Sequence, residues 1–209
     1  MKTLEEQLEN AFTELEIEEE HRVSIKSYLN LVKINDQATY EHSIRVGLIG
    51  IEVAKHMHLD PKVLFYSGML HDVGKCLVDP ETLKKTEGFD KTDMKKMTKH
   101  SKYSYDLLRG VHEFSAEIAL RHHKFQENGY PKTMPIPKVP YKEGTKVMIN
   151  FYARILGVID FYDAITTRKN DKFGEVELLD RDKAKSILLS KNQDQRYLIE
   201  DLYTNEIFS

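Results

Sequence analysis

Cysteine is almost absent from the 209 residues. Cys76 stands alone, so the chain can close no internal disulfide and cannot build a thiolate metal cluster by itself. Its neighbour Lys75 would favour a thiolate, but no side chain in view serves as a base, and a packing role is the simpler expectation. Long apolar runs are missing as well. No stretch approaches the ~20 residues that cross a bilayer, and Met1 to Glu20 is acidic where a signal peptide would carry an apolar core. A soluble, cytoplasmic protein with no membrane partner is the expectation. Nor is there a surplus of positive charge: the formal net charge is -3, so DNA is not an expected partner, and phosphate binding must come from a local basic patch. No Ser-His-Asp or Cys-His grouping stands out, which argues against hydrolysis through a covalent enzyme intermediate.

Internal repeats, low-complexity linkers and alternating strand patterns are absent too; what remains is helical periodicity. Leu4, Leu8, Phe12, Leu15 and Ile17 recur among glutamates over residues 3–19. Val23, Ile25, Leu29, Leu31 and Val32 predict a helix over about 21–34, which Asn35-Asp36 interrupts. A third helix is expected over 38–57, and Asp60-Pro61 caps and opens a fourth, with proline in the first turn. Asp79-Pro80 repeats that signal. Residues 91–109 read as one helix ended by Gly110, 113–124 as another, 147–167 as a long apolar one, and 181–207 as a polar helical end. Residues 125–146, with Gly129, Pro131, Pro135, Pro137, Pro140 and Gly144, form one long irregular segment, and such loops are more often functional than idle. The pattern predicts an all-α domain: a core over 35–170, an N-terminal helical segment over 1–34 packed on it, and a C-terminal helical extension over 171–209.

The chemistry concentrates in His71-Asp72-Val73-Gly74-Lys75, which follows the apolar run Val63 to Leu70. Imidazole and carboxylate at the end of an apolar helix set two metal donors against a wall that excludes water. His42 lies upstream; His100, the doublet His122-His123 and Asp160 lie downstream. Any one of these histidines alone would be an ordinary surface or core residue. Together, five imidazoles and two carboxylates suit two divalent transition-metal ions, and iron, manganese, zinc and nickel all accept such donors. Asp163 lies one turn from Asp160 on the same helix face, and Arg45 one turn from His42, so both are placed to orient donors. His21, His56, His58 and His112 are left as surface residues.

The pieces HSIRVG (42 to 47), LHDVGK (70 to 75), VDPETLKKTEGFDKTDMKKMTKH ending at His100, HHKFQENGYP (122 to 131) and DFYDAIT (160 to 166) together resemble the HD-GYP family, a branch of the HD superfamily of metal-dependent phosphohydrolases. The resemblance covers roughly residues 35–170 and rests on motif order, spacing and flanking residues. It implies a helical bundle of the HD-domain type and hydrolysis of cyclic di-GMP. By the same resemblance, Asp72 would bridge two ions; His42, His71 and Asp160 would complete one site, and His100, His122 and His123 the other. A bridging hydroxide would attack the phosphodiester. Lys75 would approach the substrate phosphate, and Tyr130, Arg168 and Lys169 would help hold the substrate.

The chain also departs from the family's pattern. Lys124 stands after the doublet where a glutamate is usual, and the interval to Gly129-Tyr130-Pro131 is one residue shorter. Thr167-Arg168-Lys169-Asn170 replaces an Arg-Pro-Tyr run, and Ala38 replaces the glutamate that serves a third metal, so two ions are expected. Five lysines between Lys124 and Lys146, including Lys132 and Lys138, are expected to draw a doubly charged substrate. The N-terminal helices are too short for a receiver or sensor module, which leaves a homodimer, a regulatory protein partner or expression to control activity. The competing readings are an HD-superfamily phosphohydrolase acting on a nucleotide or another phosphate ester, and a non-catalytic regulatory HD module.

Overall fold

The computed structural model describes residues 2–85, 87–136, 140–168 and 178–208, and all of its regular elements are helices. Helix α1 (Leu4–Glu14) opens on a capping box in which Thr3 and Glu6 satisfy each other's backbone N–H, and it buries Leu8, Ala11 and Phe12. Arg22 donates to the carbonyls of Phe12 and Ile17, closing the C-terminal end of α1 from helix α2 (Glu19–Asn35). Asp36 caps helix α3 (Gln37–His56) through the Thr39 N–H at 2.8 Å, and Asp60 with Pro61 starts helix α4 (Pro61–Leu70). A 3₁₀ turn, η1 (Val73–Leu77), and a short helix α5 (Pro80–Leu83) follow.

The single helix expected over 91–109 is two. Helix α6 (Lys91–Met97) stops, and helix α7 (His100–Leu108) starts afresh after Thr98 and Lys99. The His100 ring explains the break, because its Nδ1 lies 2.7 Å from the Met97 carbonyl and so satisfies the last turn of α6. Helix α8 (Glu113–Arg121) ends just before His122, earlier than its periodicity suggests, for the same reason: the His122 ring bonds the Ala119 carbonyl at 2.6 Å. Helix α9 (Glu143–Thr167) begins four residues earlier than expected and takes Glu143 and Lys146 out of the irregular segment, pairing them at 2.6 Å. The polar end divides into α10 (Arg181–Lys191) and α11 (Arg196–Thr204) around a 3₁₀ turn at Gln193–Gln195.

Helices α3, α4, α8 and α9 form the centre, with an apolar core on either side. On one side α1, α2 and α7 close over Ile44, Phe65 and Met69, with Phe12 set edge-on against Phe65 at 5.6 Å. On the other, α10 and α11 cover α9: Tyr162 stacks on Phe208 at 3.9 Å, and Arg154 reaches Asp194 at 2.7 Å and Asn192 at 2.9 Å. His112, expected at the surface, is buried and bonded to Ser24 at 2.8 Å, which ties α8 to α2. Its ring packs among those of His21, Tyr28 and Tyr66, and Ser24 partners its buried Nε2. Among the described residues no helix is long and apolar enough to cross a membrane.

The contact that positions the site is the crossing of α3 and α4. A Cβ on Gly68 would fall 2.7 Å from the Gly47 backbone, so the two helices meet at bare backbone and bring His42 beside His71, with ring centroids 5.3 Å apart. Gly68→Ala should therefore force the helices apart. The expected cost is about 1–3 kcal/mol, read as a lower urea midpoint with an unchanged slope; wild-type stability in this variant would show that the crossing has slack.

Candidate metal centre

Three helix ends converge on one buried spot. His71 follows the last residue of α4, His100 opens α7, and His122 follows the last residue of α8. Each of these rings turns Nδ1 to a carbonyl three residues earlier: His71 to Gly68 at 2.8 Å, His100 to Met97 at 2.7 Å, His122 to Ala119 at 2.6 Å. A carbonyl only accepts, so Nδ1 must carry the proton, and Nε2 offers a lone pair to the interior while the ring is neutral. His42 is held differently. Its Nδ1 lies 2.6 Å from Asp163 Oδ2 and its Nε2 3.0 Å from Asp160 Oδ1, so two carboxylates one turn apart on α9 grip both nitrogens of one ring.

The donors fall into overlapping groups, in each of which the ligand atoms lie within 4.8 Å of one another: His42, His71 and Asp160; His71, Asp72 and His122; His100, His122 and His123. Asp72 sits between them. Its Oδ2 lies 3.3 Å from His71 Nε2 and 3.7 Å from His42 Nε2, while its Oδ1 lies 3.2 Å from His100 Nε2. Lys75 Nζ is 2.5 Å from Oδ2, an ion contact without the angles of a hydrogen bond. His71 Nε2, both oxygens of Asp72 and His123 Nδ1 are buried with no hydrogen-bond partner among the described residues. Orphaned buried polar atoms cost roughly 1–3 kcal/mol each, and here all four belong to this one donor cluster. Imidazole nitrogens and carboxylate oxygens in this number fit divalent transition metals.

Electrostatics agree with that fit. Burial holds the rings of His100 and His122 down to about 4 and about 3, and His123 well below the ordinary imidazole value, so all three are neutral at neutral pH. Burial would do the same to His71, but Asp72 and Asp160 outweigh it and raise this ring to about 10. Burial alone would raise Asp72 and Asp160; the facing imidazoles, and Lys75 at Asp72, instead hold both well below the usual carboxylate range. Without metal, the two carboxylates are thus balanced by Lys75 and a proton on His71.

The orienting residues are clear in space. Arg45 donates to Asp163 from Nε at 2.7 Å and from Nη2 at 3.0 Å, and Thr167 reaches the same carboxylate at 3.2 Å, so Asp163 holds His42 while being held itself. Thr167 carried no signal in the sequence. Tyr130 packs on His123 at 4.6 Å between ring centroids, because the loop turns back to bond its N–H to the His123 carbonyl at 3.3 Å. Gly129 allows this by lacking a side chain: a Cβ there would sit 2.1 Å from the Lys124 carbonyl oxygen. Its backbone is not left-handed, so close approach, rather than turn freedom, is its reason. Arg168 lies at the end of α9, and its Nε and Nη2 are buried without a hydrogen-bond partner among the described residues. Lys138 and Lys169 lie outside the described residues. Burial raises the Cys76 thiol, so the neighbouring Lys75 does not favour a thiolate there.

Residues 39–165, more than half of the chain, match the HD domain family. The chain belongs to the HD domain family. Among curated relatives of this HD domain are the cyclic di-GMP phosphodiesterase response regulator RpfG of Xanthomonas campestris, 26% identical over 74% of this chain and 40% of the relative, and the cyclic di-GMP phosphodiesterase PA4108 of Pseudomonas aeruginosa, 29% identical over 68% and 34%. These relatives are consistent with the HD-GYP branch. The chain spans about a third to two fifths of their length. The HD domain of the Listeria monocytogenes phosphodiesterase PgpH, solved in complex with cyclic-di-AMP, has the same helical fold, with a TM-score of 0.53 and 17% identity over 87% of this chain and 86% of that one.

Asp163 supplies a pH test of the orienting network. Burial works to raise its pKa, yet hydrogen bonds from His42 and Arg45 hold it at about 2, against 3.8 ordinarily. A depressed folded value means that the contribution is complete above about pH 4 and disappears as pH falls towards 2, a loss of about 2 kcal/mol. The stability advantage of wild type over Asp163→Asn in urea unfolding should be steady from pH 7 to 5 and shrink by that amount at lower pH. A gap that stays constant to pH 2 would deny the ionised carboxylate this role.

Proposed function

We propose that the chain is a metal-dependent phosphodiesterase that hydrolyses a cyclic dinucleotide, with cyclic di-GMP as its foremost substrate. One observation carries the reading: the two oxygens of Asp72 face opposite donor groups, the geometry a carboxylate needs to serve two ions at once. His42, His71 and Asp160 would hold one ion, and His100, His122 and His123 the other, with iron or manganese ahead of zinc or nickel. Ala38, exposed one turn before His42, offers no donor for a third. Bound there, the ions supply Lewis acidity to activate water and to neutralise phosphate charge.

The rest is done by the chain. Apolar residues Leu70 and Val73 bury the centre and exclude bulk water, which strengthens each electrostatic contact inside. Lys75 is buried beside Asp72, and its ammonium meets the charge that builds on the phosphoryl oxygens. Tyr130 borders the centre with its ring against His123 and forms a wall on which a nucleobase can rest. Arg168, whose Nε and Nη2 have no hydrogen-bond partner among the described residues, adds a cation at the end of α9. The relatives named for cyclic di-GMP hydrolysis support the substrate class, and the likeness to a domain solved with cyclic-di-AMP keeps the choice of base for experiment.

Metal analysis of replete protein should find two ions per chain in wild type and none in Asp72→Ala; loss of just one ion would remove Asp72 from its shared position. Lys75→Ala should keep its metals and lose roughly ten- to a thousandfold in turnover, the range for one positioned electrostatic group. The substrate itself is decided by a panel of cyclic dinucleotides against nucleoside triphosphates. Cleavage of the triphosphates alone would replace this reading with that of a nucleotide phosphohydrolase, and no turnover of either by fully metallated protein would favour a binding module.

A further inference from the structure

The turn that carries Asp72 is not closed by its own backbone. Lys75 N–H bonds the Asp72 carbonyl directly at 2.9 Å, the i to i−3 pattern of a 3₁₀ turn. One residue earlier, the same pattern would join Gly74 N–H to the His71 carbonyl. Instead the hydroxyl of Ser104 stands between them: Gly74 N–H donates to Ser104 Oγ at 2.9 Å, and Ser104 Oγ–H donates to the His71 carbonyl at 2.6 Å. Ser104 is fully buried, and it lies one turn along α7 from His100.

We propose that Ser104 is a positioning residue that sets the distance between the two halves of the donor cluster. Its hydroxyl holds the His71–Gly74 turn open by one oxygen, and that turn aims the Asp72 carboxylate. The same helix presents His100, whose Nε2 faces Asp72 Oδ1 at 3.2 Å. Helix α7 therefore fixes both the bridging carboxylate and an imidazole of the second group from one rigid element. Without the hydroxyl, Gly74 N–H and the His71 carbonyl are two buried groups with no mutual contact, and the turn must tighten to pair them, rotating Asp72 away from His100. This inference rests on the binuclear reading above, and concerns spacing rather than ligation.

The test is a calorimetric titration of metal-free protein with Mn2+ alone, comparing wild type, Ser104→Ala, Ser104→Thr and Ser101→Ala. Ser101 is the control: it is buried on the same helix, and among the described residues its hydroxyl bonds only the Thr98 carbonyl, at 3.4 Å. Ser104→Ala should weaken Mn2+ binding by tenfold or more, most in the step that needs His100 and Asp72 together. Ser101→Ala should bind as wild type does. Ser104→Thr, which keeps the hydroxyl, should recover most of the loss. Melting of the metal-free forms separates positioning from general damage: a Ser104→Ala protein whose melting falls no further than that of Ser101→Ala, yet whose Mn2+ binding is weaker, supports the assignment. Ser104→Ala and Ser101→Ala binding Mn2+ alike, in one step or two, overturns it. Failure of the binuclear reading shows elsewhere, as a single Mn2+ step in wild type.

Discussion

Everything in this structure answers to one buried carboxylate. Asp72 is shut away from water with both oxygens lacking a hydrogen-bond partner among the described residues, and an ion in that position costs several kcal/mol unless other charges face it. Lys75 and His71 supply those charges from the turn itself, and the rings of His100 and His42 close around the carboxylate from α7 and α3. The glycine crossing of α3 and α4, the break between α6 and α7 and the early end of α8 all serve to bring those groups within reach. A single helical segment over 91–109 would have carried His100 past Asp72 in the middle of a helix, with its ring free to swing.

Helix ends, rather than helix faces, supply most of the donors, and the reason is chemical. The last carbonyls of a helix have no N–H of their own, and an imidazole placed just beyond can satisfy one while its second nitrogen points away. His71, His100 and His122 use this arrangement on three separate helices. The bond ends the helix, selects the tautomer and fixes the ring in a single step, so orientation is obtained from groups that need a partner in any case. His42 lies within a helix, where that device is unavailable to it, and it needs Asp163, Arg45 and Thr167 instead.

The outer helices have a separate task. Helices α1 and α2 seal the core beneath α3 and α4, and α10 and α11 clamp the far side of α9 through the Arg154 pair and the Tyr162 stack. A long α9 carries Asp160 and Asp163 on one face, so small tilts would move both away from His42. Packing on each side is what holds a helix of this length in place. The proposed reaction thus draws its precision from regions that contribute no donor.

Much of this was legible in the chain. Caps and periodicity are local, so Asp36, Asp60-Pro61 and Gly110 marked helix boundaries correctly, and the absence of alternating patterns led to an all-α fold, which the structure has. The candidate donors also stood out as a set, through motif order and their apolar flanks, and the structure brings all seven into overlapping groups. What the chain alone could not reveal depends on contacts between distant segments. The burial of His112 against Ser24, the two-sided setting of Asp72, and the hydroxyl of Ser104 inserted into a turn some 30 residues away appear only once helices have crossed. The breaks at Met97 and Arg121 were missed because periodicity measures burial, and burial continues through them; it is the ring-to-carbonyl bonds of His100 and His122, settled by where those rings must point, that end the helices. Sequence thus determined which groups were present and on which helices, while tertiary structure decided their distances, since a distance between residues 42, 72, 100 and 160 is a property of helix crossings and of no local stretch.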